Sequence, residues 1–152
     1  EKDLMKRPPR PPKENLFADG LLSRILVRGA LIAGATLGVQ AWALSAGYDA
    51  RSQQTMVFTA LCFIQLGNAL SVRSVRRTVF SSQLFSNRGL WVSIVLTIGL
   101  QLLIVYLPAL QPVFRTVGVD WAGMRMVMLC SLAAVVFLEL VKYLPAGRKA
   151  RP

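Results

Sequence analysis

The sequence predicts an all-α polytopic membrane protein, with four transmembrane helices in an antiparallel bundle behind a proline-rich N-terminal leader. Three observations carry this reading. Four long stretches hold almost no charge. Hydrophobic residues make up 54% of the chain and charged residues 16%, against roughly a quarter in an ordinary soluble domain. The basic residues gather between the apolar stretches rather than within them. A mean hydropathy of +0.49 agrees.

The same features exclude other classes. A net charge of +11 would suit nucleic acid, but the basic residues do not interleave with aromatics on one face, so no nucleic-acid partner is expected. The apolar runs lack a polar face, which argues against a helix lying flat on the bilayer. There is no His, and Cys62 and Cys130 fall inside apolar runs, where they read as small hydrophobes without metal-ligand spacing.

Residues 1–20 form a basic leader. Four prolines among positions 8–12 exclude helix and favour an extended polyproline path, so this segment is expected outside the membrane, as a cytoplasmic loop. No apolar stretch with a small-residue cleavage site opens the chain, and an initial Glu suits a segment of something longer. The first span is expected at 22–44. Arg24 and Arg28 lie in its opening turns, where they are expected to snorkel to the headgroups. Ala30, Gly34 and Gly38, with Gly29 and Ala33 beside them, give small residues at the spacing that lets another helix approach closely. The plainer reading is that Gly and Ala are simply common in membrane helices.

A short loop leads to the second span, 54–72. No charge interrupts it, and at about 1.5 Å per residue it crosses a hydrocarbon core of about 30 Å. Gln65 and Asn68 stand three apart within it and are expected to share a face. Amides in hydrocarbon are costly without partners, so that face is expected to look at other helices or at a polar pathway. An arginine-rich loop follows, then a third span at 90–108, closed by Pro108 and Pro112. A fourth span runs over 121–144, where Glu139 and Lys142 can pair across one helical turn. Residues 145–152 form a basic tail. The 21–144 region is thus one transmembrane domain, with Trp42, Tyr48, Trp91 and Tyr106 as interfacial anchors. Fifteen Lys and Arg fall on the side of the termini and three (Arg51, Arg115 and Arg125) on the other, which predicts both termini in the cytoplasm.

The leader Asp3-Leu-Met-Lys-Arg-Pro-Pro-Arg10 resembles the D-x-M-x-R-P-P-R segment of P-type cation-transporting ATPases, in the cytoplasmic loop after their sixth membrane helix. In the same register, Arg24 to Gly29 and the small-residue stripe resemble the seventh helix. Thr55-Met56 through Gln65-x-x-Asn68-Ala-Leu70 resembles the eighth, and Glu139-x-x-Lys142 the end of the tenth. The similarity covers nearly the whole chain and is greatest to the calcium-pump branch and its bacterial relatives. A bacterial plasma membrane is therefore the expected host.

The resemblance implies a fold, a parent and partners. In those calcium pumps the eighth helix supplies a carboxylate to the cation sites, and Gln65 stands at the matching position, making Gln65 and Asn68 the candidate cation-site residues. An amide oxygen can coordinate calcium but brings no negative charge, so either the pump keeps fewer sites or Gln65 supports ligands elsewhere. The plainer reading leaves both amides in interhelical hydrogen bonds. Met5, Arg7, Pro8, Pro9 and Arg10 would couple the membrane helices to cytoplasmic domains, or the basic leader would simply attract anionic lipid. The expected partners are the bilayer, the remaining helices and cytoplasmic domains of the pump, and a transported cation, with Ca2+ favoured. The parent would need ATP and Mg2+. This sequence holds no Asp-Lys-Thr-Gly and no glycine-rich phosphate loop, so the chain alone is expected to hydrolyse nothing. A free-standing four-helix membrane protein, such as an assembly factor or small transporter subunit, explains composition and topology equally well but not the ordered motifs.

Overall fold

A computed structural model describes residues 21–73 and 88–141. The leader, the arginine-rich loop and the tail, including the expected roles of Met5, Arg7, Pro8, Pro9, Arg10 and Lys142, lie outside the described residues. Five helices occur among those described: α1 (Leu21–Ser45), α2 (Ala50–Arg73), α3 (Arg88–Tyr106), the short α4 (Gln111–Phe114) and α5 (Trp121–Val141). All but α4 are long and apolar enough to cross a membrane. α3, the shortest of the four, has 19 residues and spans about 28 Å at 1.5 Å per residue, close to the thickness of a hydrocarbon core.

Local chemistry sets the helix ends. α1 stops in a Schellman turn: Gly47 takes φ +80°, its N–H donates to the Leu44 carbonyl, and the Tyr48 N–H donates to the Ala43 carbonyl. Asp49 then caps α2, its carboxylate accepting from the backbone N–H of Arg51 and Ser52 and from the Ser52 hydroxyl. The cap starts α2 a full turn before the expected residue 54 and leaves Arg51 exposed on its first turn. α3 ends at Tyr106, because Pro108 disfavours helical geometry at Leu107. Beyond it lies α4, which the sequence reading passed over as loop. Pro112 sits in its first turn, and Arg115 closes it in the left-handed region at φ 55°. Asp120 caps α5 through the Gly123 N–H at 3.0 Å.

α2 is the centre of the bundle. It packs against α5 and α1, which also pack against each other, while α3 leans on α2 alone among the long helices. One apolar cluster joins Val39 and Ala43 of α1, Met56 and Ala60 of α2, Val105 of α3, and Met124 and Val127 of α5, with Val119 just before α5. A second joins Ile64 to Ala134 and Leu138, flanked by Leu31, Ile32 and Ala35. α5 comes very close to the backbone of α2 at Gly67. A Cβ there would stand 2.1 Å from Val135 Cγ2 and 3.2 Å from its Cβ.

Gly67→Ala is therefore expected to force α2 and α5 apart, destabilising the fold by about 1–3 kcal/mol, the usual cost of overpacking. Thermal unfolding in detergent should show the loss, and the double variant with Val135→Ala should recover most of it. Unchanged stability in the single variant would contradict the tight approach.

Candidate functional site

Two polar zones lie within the described residues, one at each end of the bundle. The first is at the end where α1 begins and α5 finishes. There Arg28 of α1 donates from Nη1 to Asn68 Oδ1 of α2 at 2.9 Å. One turn along, the Ser71 hydroxyl of α2 donates to Glu139 Oε2 of α5 at 2.8 Å. The Glu139 carboxylate lies within electrostatic reach of the Arg28 guanidinium, so three helices meet around one opposite-charge pair and two neutral groups. Ser71 and Glu139 are buried, and Arg28 and Asn68 are half-buried. Charge and amide at this depth are tolerable because each finds a partner.

Gln65 behaves differently from Asn68. About 60° separates them around the helix axis at 3.6 residues per turn, and the boundary of the bundle falls between them. Gln65 is exposed, amid Phe58, Leu61, Ala69 and Val72, on the face of α2 that the other described helices leave uncovered. It is the one amide on that face between Phe58 and Val72. The expected shared face is thus divided: Asn68 has its carbonyl oxygen engaged by Arg28, whereas Gln65 points away from α1, α3 and α5.

Arg28 also departs from expectation. It donates across the bundle to Asn68, with the Glu139 carboxylate in electrostatic reach, a bond that the snorkelling expectation did not include. Glu139 was expected to pair with Lys142, which lies outside the described residues; within them its carboxylate accepts from Ser71. The small-residue stripe faces outward too. A Cβ built at Gly29, Gly34 or Gly38 would meet nothing within 4 Å, and Ala30 is exposed. α1 uses another side, through Leu31, Ile32, Ala35, Val39 and Ala43, to touch the bundle. Cys62 and Cys130 are free thiols and half-buried.

At the opposite end the connecting segments are laced together. The Tyr48 hydroxyl donates to Asp120 Oδ1 at 2.6 Å, and Tyr106 donates to the Val119 carbonyl at 2.9 Å. The Val117 N–H donates to Thr55 Oγ1, Gln40 donates to Gln53 at 2.7 Å, and buried Gln101 donates to Thr59 at 3.1 Å. The Tyr48 hydrogen bond, seconded by the Gly123 N–H, holds the Asp120 carboxyl below its ordinary value of 3.8. The same bond raises the Tyr48 phenol above 10.0. Sequence reasoning found none of these cross-helix bonds. Gln65 and Asn68 were the amides inside an apolar run that announced a need for partners, whereas Gln40 and Gln101, which also lie inside such runs, drew no notice.

Comparison with known proteins gives a consistent result. The family described as "Cation transporting ATPase, C-terminus" matches residues 1–144. The chain is 31% identical over 149 residues to human "Calcium-transporting ATPase type 2C member 1", covering 98% of this chain and 16% of that protein. It is 34% identical over 145 residues to type 2C member 2 of Rattus norvegicus, covering 93% and 15%. To "Calcium-transporting ATPase 1" of Yarrowia lipolytica it is 30% identical over 146 residues, covering 96% and 16%. The chain spans about a sixth of the length of these curated relatives.

The Tyr48–Asp120 bond predicts a pH profile. The lowered Asp120 value contributes stability that is present above its ordinary 3.8 and lost as pH falls through its folded value. The raised Tyr48 value contributes below its ordinary 10.0 and is lost as pH rises through its folded value. Tyr48→Phe should therefore lower thermal stability by a small and constant amount between about pH 5 and about pH 9, where Asp stays ionised and Tyr neutral. A difference that varies with pH inside this window would contradict the assignment.

Proposed function

Because the chain belongs to the family of cation-transporting ATPase carboxy-terminal regions, we propose that it forms the last four membrane helices of a P-type calcium pump, bracing the transport helices and presenting Gln65 to the cation path. Gln65 carries the reading. Between Phe58 and Val72 it is the lone amide on an otherwise apolar, uncovered face, which is costly in lipid and acceptable against a polar pathway or other polar helices. Calcium takes oxygen ligands, and an amide carbonyl supplies one without charge, so the negative charge of such a site comes from helices outside this chain. Asn68, engaged by Arg28, serves the packing of α2 rather than the ion.

The remainder of the machine is divided accordingly. ATP and Mg2+ belong to other parts of the pump, since this sequence holds no Asp-Lys-Thr-Gly. The outward stripe of Ala30, Gly34 and Gly38 suits close approach of a helix from the rest of the pump. Fifteen basic residues against three support a cytoplasmic location for both termini. The leader then lies on the cytoplasmic side, where Arg7 and Arg10, spaced by rigid prolines, engage acidic groups of a cytoplasmic domain. A bacterial plasma membrane as host rests on the sequence resemblance alone, the relatives above being from human, Rattus norvegicus and Yarrowia lipolytica.

In the complete pump, Gln65→Leu should shift the Ca2+ dependence of phosphorylation to about tenfold higher concentration, the loss of one polar contact to a charged ligand. An unchanged Ca2+ dependence would make Gln65 a packing residue. Replacing Arg7 and Arg10 together by Ala should slow turnover while leaving the Ca2+ concentration dependence intact, and a wild-type rate would dismiss the coupling role.

A further inference from the structure

We infer that Arg28 is a positioning residue for the cation site: by holding Asn68 it fixes the rotation of α2 about its own axis and so aims Gln65. The inference rests on the reading of Gln65 given above.

Lipid specifies the rotation of a helix only weakly. An apolar helix in a bilayer exposes one apolar face or another at nearly equal cost, so hydrophobicity alone does not choose which way α2 turns. The choice falls to contacts that have no substitute in lipid. Three of them lie within two turns beyond Gln65. Gly67 lets Val135 of α5 approach its backbone, Asn68 accepts from Arg28 of α1, and Ser71 donates to Glu139 of α5. Two of the three pull toward α5, and Arg28 supplies the tie from α1. With that tie released, this end of α2 keeps its contacts with α5 and rolls more easily about them, while the bonds of Gln53, Thr55 and Thr59 still hold the other end.

The geometry makes such a roll consequential. An amide oxygen roughly 6 Å from the helix axis moves about 2 Å for a rotation of about 20°. Calcium holds oxygens within about 2.3–2.6 Å, so a displacement of that size removes a ligand. Asn68 is only about 60° around the axis from Gln65 and one turn away, so a force on one is felt by the other with little intervening slack. Arg28 itself need not touch the ion. Its guanidinium is half-buried, engaged with Asn68, and balanced by the Glu139 carboxylate.

A double-mutant cycle in the complete pump tests this, with the Ca2+ dependence of phosphorylation and its maximal level read separately. Arg28→Met keeps an unbranched apolar stem, though a shorter one, and removes the donor together with the charge that faces Glu139. Asn68→Ala removes the acceptor without touching charge, and serves if the Arg28 variant does not accumulate in the membrane. Each is expected to raise the half-maximal Ca2+ concentration about fivefold, the scale of one hydrogen bond, with the maximal level preserved. Together they should do no more than either alone. Placed in a Gln65→Leu background, neither should shift Ca2+ dependence further. An equal shift with and without Gln65, no shift at all, or a fall in maximal level alone would overturn the positioning role while leaving Gln65 in place. A Gln65→Leu pump with wild-type Ca2+ dependence would instead overturn the reading on which the inference stands, and the inference with it.

Discussion

Lipid tails solvate an apolar helix about as well as another apolar helix does, so packing in this chain is decided where that equivalence fails. It fails at bare backbone and at polar groups that lipid cannot satisfy. Gly67 against Val135 is the first kind, and Arg28 with Asn68, Ser71 with Glu139, and Gln101 with Thr59 are the second. Remove these and the apolar clusters around Met56 and Ile64 would still be apolar, but with little to choose one arrangement over another.

α2 is central because it collects nearly all of them. Its inward side buries Thr55, Thr59 and Ser71 beside Met56 and Ile64, with Thr59 bonded to α3, Ser71 to α5 and Thr55 to the segment before α5. Between Phe58 and Val72 its outward side is apolar except for Gln65. The same helix thereby separates a structural polarity, satisfied within this chain, from an amide that the described helices leave uncovered. The cross-links at the far end, from Tyr48 to Asp120 and from Thr55 to Val117, fix the opposite extremity of α2 to the segment preceding α5. Held at both ends, the helix is a fixed support along its length.

The four spans were legible because charge is intolerable in hydrocarbon, and runs without charge therefore mark themselves. Their ends were less so. Asp49 starts α2 early through a cap that only local backbone geometry reveals, and α4 is a single turn whose Pro112 reads equally well as a loop. Within the candidate site, sequence spacing placed Gln65 and Asn68 on one side of a helix, which is correct to within about 60° and silent about where a neighbour's edge falls. Snorkelling was the natural reading of Arg28, since its acceptor lies on another helix. Gly67 drew no notice, because a solitary glycine has no period, while the more regular Ala30, Gly34 and Gly38 face away from every described helix. Pairings between distant segments are fixed by three-dimensional packing, and single-chain periodicity does not carry them.

α5 contributes to both apolar clusters, receives Ser71 through Glu139, and brings Val135 against Gly67. It is also the final span of this chain to leave the ribosome. The preceding hairpin of α1 and α2 consequently waits in the bilayer with Gly67 and Ser71 unmatched until α5 emerges. A nascent chain arrested before Trp121 would display that open seam, which distinguishes a chain without α5 from one that has it by surface chemistry alone.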